Sequence, residues 1–197
     1  MKLYLASGNA HKVREFQALA DASRLGIEII SAKTIGGMPP VVEDTGTFVG
    51  NATKKARALR ALLPSDAWVL ADDSGLCVDA LGGAPGVESA YYAGPQGDSA
   101  ANLAKLVQTM RDVPEERRGA HFICVLVLID GAGHEQVFEG RCDGHLLHEP
   151  RGAAGFGYDP LFVPAGHKKS LAEIDEASKN RLSHRGRAWA AFSSYLA

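Results

Sequence analysis

The chain has 197 residues, 46% of them hydrophobic, which is enough apolar material to bury one core, or a core with an added lobe, and too much for a disordered polymer. A formal net charge of −2 removes the broad basic footprint that a nucleic-acid polymer or an anionic membrane would require, so a small, locally held ligand is expected. Three cysteines, Cys77, Cys124 and Cys142, without a CxxC pair and without a signal-like segment before MKLYLASGN, point to a reduced, cytoplasmic protein.

In chain order, KLYLA reads as a buried strand, followed by a helix from about His11 to Leu25 with Val13, Phe16, Leu19 and Ala20 at helical spacing and Gly26 at its end. A strand, IEIIS, comes next. This β-α-β opening with short joints predicts parallel pairing through a right-handed crossover. The loop GGMPPVVEDTG breaks regular structure, and a second helix starts near Thr47, turning Phe48, Ala52, Ala56, Leu59 and Leu63 inward until Pro64 stops it. WVLADDSG predicts a third strand that ends in two acids and a glycine turn, and in open α/β sheets ligands collect at such strand ends.

Beyond LGGAPG, a helix crosses Asn102, Leu103, Leu106, Val107 and Met110, and the charged RDVPEERR after it reads as exposed. AHFICVLVLID and QVFEGRCDGHLL then predict two long antiparallel strands joined at GAGHE, a candidate second lobe. The apolar run FICVLVLI has eight residues, against the roughly 18 to 20 of a membrane span, and reads as a buried strand. A glycine-rich loop, EPRGAAGFGYDP, leads to a short strand LFVP, and one last helix carries Leu182, Trp189, Phe192 and Leu196 on one face. No repeat of 20 to 50 residues is present. The whole is expected to be a single α/β domain spanning residues 1–197.

Four stretches carry candidate chemistry. SGNAHK sits between a strand and a helix, so the amides of Ser7, Gly8 and Asn9 lie at a positive helix end with Lys12 one turn in; this suits a phosphate, and equally an Asn-capped helix start. In ADDSG, the adjacent Asp72 and Asp73 point to opposite sides of a strand. One of them with a second acid, for which Glu43 and Asp44 are the donors at hand, can hold Mg²⁺ where the metal also meets substrate phosphates; the plainer reading is a solvated acidic turn. GFGYDP places Phe156 and Tyr158 among glycines, with Asp159 fixed by Pro160, so a base can stack there, or the aromatics can plug the core. SKNRLSHRG brings Lys179, His184 and Arg185, which suit an anion and a purine carbonyl, or simply a solvated basic face. His121, His134, His145, His148 and His167 lack the spacing of a zinc site. No GxSxG elbow is present, and no cysteine has a histidine close by in sequence.

Taken in order, SGNAHK, VEDTGTFVGNA, ADDSGLCVDALGGAPG and GFGYDP with SHRG resemble the Ham1-like inosine triphosphate pyrophosphatase family over nearly the whole chain. The resemblance implies an elongated α/β fold, a mixed sheet flanked by helices in two lobes with a central cleft, in homodimers. It implies Mg²⁺-dependent hydrolysis of ITP, dITP and XTP between the α and β phosphates, clearing these purine nucleotides from the pool. Residue by residue, it assigns Ser7, Gly8, Asn9, Ala10, His11 and Lys12 to the triphosphate, Glu43 and Asp73 to the metal, and Asp73 also to proton acceptance. Ser74 touches substrate, Phe156, Gly157, Tyr158 and Asp159 form the base loop, and Lys179, His184 and Arg185 close on phosphates and purine edge, with Lys12, Lys55 and Lys179 offsetting charge.

Three positions depart from that pattern: His11 for a small residue, Gly50 for an acid, and Tyr91 for an arginine. Gly50 removes a possible third carboxylate, which Asp44 is positioned in sequence to replace. Selectivity for a 6-oxo purine requires a donor, from His184, Arg185 or a backbone N–H, and a buried donor left unpaired by an amine costs about 1 to 3 kcal/mol. Two other readings stand beside this one: a related-fold pyrophosphatase acting on modified or canonical nucleotides, and a nucleotide-binding module without turnover.

Overall fold

Strand β1 (Lys2–Leu5) pairs in parallel with β2 (Glu28–Ser31) on one side and with β3 (Trp68–Val78) on the other, in register Leu3 with Ile29 and with Trp68. In the computed structural model, which describes residues 1–197, the sheet continues through β4 (Gly119–Ile129), β5 (Glu135–Leu146) and β6 (Phe162–Pro164) in the order β2-β1-β3-β4-β5-β6. β5 and β6 are antiparallel, so the sheet is mixed, as expected. The crossover from β1 to β2 is helix α1 (Ala10–Ser23); α2 (Phe48–Arg60) precedes β3, and α3 (Ser99–Thr109) lies between β3 and β4.

The chain forms two compact units. The first comprises residues 1–73, 124–140 and 186–197, and the second residues 74–123 and 141–185. Three strands, β3, β4 and β5, run from one unit into the other, so neither unit is a single stretch of chain.

In the first unit, strict alternation explains why the strands read as continuous apolar runs. Leu3, Leu5, Leu70, Cys124, Leu126 and Leu128 join one buried cluster with Phe16 and Leu19 of α1 and with Trp189 and Phe192 of α5 (His184–Leu196). Their neighbours Ala6, Val69, Ala71, Val125, Val127 and Ile129 join a second cluster with Ala52, Ala56 and Leu59 of α2. A sheet covered on both faces has no polar side to show. Phe16 and Trp189 meet with ring centroids 5.9 Å apart, tying the first and last helices to the same face.

The second unit has its own core. Leu106 of α3, Met110, Leu76, Phe122, Cys142 and Leu146 pack with Tyr158, Leu161 and Phe162. Asp98 caps α3 by accepting from the amides of Ala100 and Ala101 at 2.8 and 3.1 Å, the side-chain oxygen replacing the missing helical acceptor.

Several elements differ from the sequence reading. α1 ends at Ser23 rather than Leu25, with Arg24 left-handed (φ 57°) as its cap. β3 does not stop at its acids but runs on through Ser74 to Val78, because Leu76 and Val78 are fully buried and continue the inward pattern. The final helix is two helices, α4 (Glu176–Leu182) and α5, separated at Ser183, whose extended backbone (ψ 157°) interrupts the ladder. RDVPEERR is not exposed throughout: Arg118, its last residue, is 1% exposed. Its guanidinium donates to the carbonyls of Met110, Val113, Leu146 and Leu147 at 2.6, 3.1, 2.8 and 2.6 Å, saturating acceptors left over where α3 ends and β5 stops.

Candidate active site

Carboxylates and lysines gather in the first unit. The side chains of Asp72 and Asp73 take different partners, as alternation along β3 requires: Lys12 Nζ lies 2.8 Å from Asp72 Oδ1, and Lys55 Nζ lies 2.9 Å from Asp73 Oδ1. Lys55 also reaches Glu43 Oε2 at 3.0 Å, so one ammonium joins the two acids expected to act on a metal. It does so because α2 presents Lys55 on the turn beside the buried Ala52, Ala56 and Leu59, with its side chain 11% exposed. Burial opposes the charge of Lys55, but Asp73, Asp72 and Glu43 outweigh it and hold the ammonium above its ordinary value. For Asp73 burial wins: it pushes the carboxyl up against the pull of Lys55 and Lys12. The other oxygen of Asp73, Oδ2, is buried and accepts no hydrogen bond from the protein.

The turn at residues 7–12 is built locally. Asn9 Oδ1 accepts from the amides of His11 and Lys12 at 2.9 and 3.4 Å, and Ser7 Oγ accepts from the Asn9 amide at 3.1 Å. Of the three amides that the sequence reading left for an anion, that of Asn9 is taken by Ser7 Oγ and that of Ser7 by the Leu5 carbonyl at 2.8 Å, and Lys12 remains the strong cation of the turn. Gly8 has open space around it and Ala10 starts the helix. His11 is exposed, its Nδ1 2.8 Å from Arg14 Nη2.

The loop that carries Glu43 is held to α2 by its own polar residues. Thr47 caps the helix by accepting from the Gly50 amide at 3.1 Å, and the Thr45 hydroxyl lies 2.8 Å from Asn51 Oδ1. A Cβ on Gly50 would stand 2.4 Å from Thr45 Oγ1, so with this loop conformation glycine is required and an acid is not tolerated. Asp44, the acid offered in its stead, pairs with Lys54 on an exposed surface. Glu43 and Asp73 are two acids, and no group of three or more His, Cys, Asp or Glu side chains assembles into a metal cage.

Aromatics and cations gather in the second unit. Gly155 (φ 76°) and Gly157 (φ 62°) are left-handed, which folds the loop so that Asp159 Oδ2 accepts from the Phe156 amide at 2.9 Å. The same oxygen lies 2.9 Å from Lys179 Nζ, bringing α4 onto the loop. Lys179 Nζ and Arg185 Cζ stand 5.4 and 5.7 Å from the Phe156 ring centroid, within cation–π range. Arg185 donates to Ser74 Oγ at 3.0 Å, and the His184 ring stacks on Phe122, centroids 4.7 Å apart and 11° from parallel. The break at Ser183 allows this: Lys179 lies within one helix and His184 begins the next, so residues five apart need not diverge as they would on a continuous helix. Tyr158 stands apart from these, 5% exposed in the core, with its hydroxyl on the Ser89 carbonyl at 2.8 Å. Tyr91 is 50% exposed.

The chain matches the Ham1 family over residues 3–195. It belongs to that family. It is 64% identical to a dITP/XTP pyrophosphatase of Opitutus terrae over 99% of its own length and 98% of that protein's. Among solved structures, a HAM1 protein from Coxiella burnetii superposes with a TM-score of 0.86 at 36% identity, covering 100% of this chain and 98% of the other. A nucleoside-triphosphatase / dITP/XTP pyrophosphatase from Mycobacterium abscessus is 42% identical, with a TM-score of 0.76 and 98% of each chain covered. The mixed six-stranded Ham1 fold and a nucleoside triphosphate pyrophosphatase activity follow for this chain.

Sequence reasoning missed two features of the second unit and one of the first. The carbonyl clip of Arg118 and the Tyr158–Ser89 bond have no local signal, because the clip closes only with Leu146 and Leu147, 28 and 29 residues away, and Ser89 lies 69 residues from Tyr158. That Asp72 needs a countercharge of its own, which Lys12 supplies, was within reach: two adjacent acids on a strand need two separate countercharges.

Proposed function

We propose that this protein hydrolyses non-canonical purine nucleoside triphosphates, ITP, dITP and XTP, to the monophosphate and pyrophosphate, removing them from the nucleotide pool. One observation carries the reading on this chain: Lys55 bridges Glu43 and Asp73 while Asp73 Oδ2 is buried without a protein partner. A buried carboxylate oxygen left over beside a second acid suits a cation that arrives with its substrate. Glu43 and Asp73 would hold Mg²⁺, whose charge would offset that of the phosphate oxygens. Two protein carboxylates suffice for this ion, which normally keeps waters and takes oxygens from substrate.

Phosphoryl transfer leaves the protein positioning and charge balance to supply. Lys12 and Lys55 take the negative charge of the triphosphate, Lys12 on the part beyond the bond that is cut. Asp73 orients the attacking water and accepts its proton as the water oxygen bonds to phosphorus. The α–β anhydride P–O bond breaks, and pyrophosphate leaves with the bonding pair. Ser7 to Lys12 line the phosphate side; Phe156 stacks on the base, with Gly157 and Asp159 beside it. Lys179, His184, Arg185 and Ser74 supply donors for phosphate and the 6-oxo edge. The reading extends to a cytoplasmic homodimer, as the family resemblance implies; no helix is long and apolar enough to cross a membrane.

Product analysis with ITP, XTP, dITP, GTP and ATP, with and without Mg²⁺, tests it. Pyrophosphate is expected from the first three only with metal, and Asp73→Asn abolishes it. Orthophosphate as first product, or equal turnover of ATP, would remove the assignment; tight nucleotide binding without turnover would mark a binding module.

A further inference from the structure

The base loop carries two aromatics, and they do different things. Phe156 is partly exposed, with two cations near its ring. Tyr158, two residues on, is sunk among Leu161, Phe162 and their neighbours in the core of the second unit. A ring placed so deep offers a base no face to stack on.

Its hydroxyl ends in a fully paired polar network. Tyr158 Oη donates to the Ser89 carbonyl at 2.8 Å, and Asn102 Nδ2 lies 3.4 Å from that same oxygen and 2.8 Å from the Ala90 carbonyl. Asn102 Oδ1 accepts from the Ala93 amide at 2.6 Å; Ser89 Oγ donates to the Gly86 carbonyl at 2.6 Å and accepts from the Leu76 amide at 2.9 Å. Ser89, Asn102 and Tyr158 are 7%, 3% and 5% exposed. The network joins the short 3-10 helix Gly86–Tyr91, α3 and β3 to a loop 69 residues further along.

The loop between the glycines thus has two anchors in succession: Tyr158 through this network, and Asp159 through the Phe156 amide and Lys179. With Gly155 and Gly157 both free to rotate, the anchors must supply the rigidity that the backbone lacks. We propose that Tyr158 is a positioning residue for base recognition: by holding its hydroxyl on the Ser89 carbonyl it fixes the loop that presents Phe156, and so sets base affinity without touching the base. This rests on the reading of Phe156 as the base platform.

Tyr158→Phe removes only the hydroxyl and keeps the ring in the core. Steady-state kinetics with ITP should show KM raised about fivefold, the equivalent of one net hydrogen bond, with kcat within about twofold, since Glu43, Lys55 and Asp73 are untouched. Hydrogen exchange in nucleotide-free protein should be faster across residues 153–159. Ser89→Ala is the comparison: it keeps the carbonyl that Tyr158 uses but orphans the Leu76 amide, so it should lower the melting temperature and leave KM for ITP unchanged. If KM or loop exchange in Tyr158→Phe stays within twofold of the parent, or if KM simply follows melting temperature in both variants, the proposal is overturned. If the parent protein releases no pyrophosphate from ITP, the functional reading fails instead, and the exchange experiment alone then decides whether Tyr158 clamps the loop.

Discussion

Lys55 and Asp73 share a hydrogen bond of 2.9 Å with both side chains almost removed from water, and Glu43 leans on the same ammonium at 3.0 Å. One cation therefore bridges both acids. Breaking a buried pair by deleting one partner costs more than the pair contributes, because the survivor stays desolvated and uncompensated.

Lys55→Met should accordingly destabilise the protein by about 3 kcal/mol, a fall in melting temperature of about 6 to 12 °C for a chain of this size. Turnover of ITP should fall at least a hundredfold. A double-mutant cycle with Asp73→Asn, read by urea denaturation, should give strong coupling; additivity would show that the two side chains act independently.

Asp73 also makes a prediction about pH. Burial raises its proton affinity in the folded protein, so between the ordinary carboxylate value, about 3.9, and its own raised value the folded state holds more protons than the unfolded state. Its contribution is complete below the ordinary value and is lost as pH rises through the folded one. The lowered acids Asp44, Asp130, Glu135, Glu173 and Asp175 act in the opposite sense, which makes the useful quantity a difference. Measured in a chelating buffer, the melting temperature of the parent protein should lose ground to that of Asp73→Asn as pH rises from about 4 to about 7. A constant gap, or one that moves the other way, contradicts the raised value.

Gly155→Ala should loosen the base loop. Its φ of 76° strains any side chain by about 1 to 2 kcal/mol, and the new Cβ would stand 2.2 Å from Asp159 Oδ2. Asp159 then has to leave the Phe156 amide, Lys179, or both. KM for ITP should rise severalfold with less change in kcat, and crystals of the variant should show Asp159 displaced.

Arg118→Lys keeps the charge and loses the fork. An ammonium on a shorter reach cannot serve four carbonyls that converge from two elements, and each acceptor left buried without a donor costs about 1 to 3 kcal/mol. Thermal denaturation should report a loss of about 2 to 4 kcal/mol, with KM and kcat near parental in the folded fraction.

Local signals in the sequence carried most of the fold. The alternation that buries Val125 and Leu126 on opposite faces of β4, and the Asn9 and Thr47 caps, lie within a few residues and are read directly. Candidate site residues were legible as types, an acid beside an acid or a lysine at a helix start. What was not legible is which acid meets which lysine, because Lys55 and Asp73 are 18 residues apart and only folding brings them together. The continuation of β3 beyond its acids failed for another reason: Ser74 and Gly75 have the composition of a turn, and the burial of Leu76 and Val78 overrides it. Arg118 reversed its expected exposure through backbone acceptors, which no side-chain pattern announces.

The run from Phe122 to Ile129 lies in β4, an inner strand with β3 and β5 on either side, while the sheet's edges fall to β2 and β6, of only four and three residues. Eight consecutive apolar, mostly β-favouring residues without a proline or a charge are also the composition that self-associates when set free. In the native sheet both of its ladders are occupied, and the short edges offer a passing chain little to join. Solubility of this protein is therefore a property of its folded state: a variant that lets β4 loose is expected to be lost to inclusion bodies before any defect in turnover is measured.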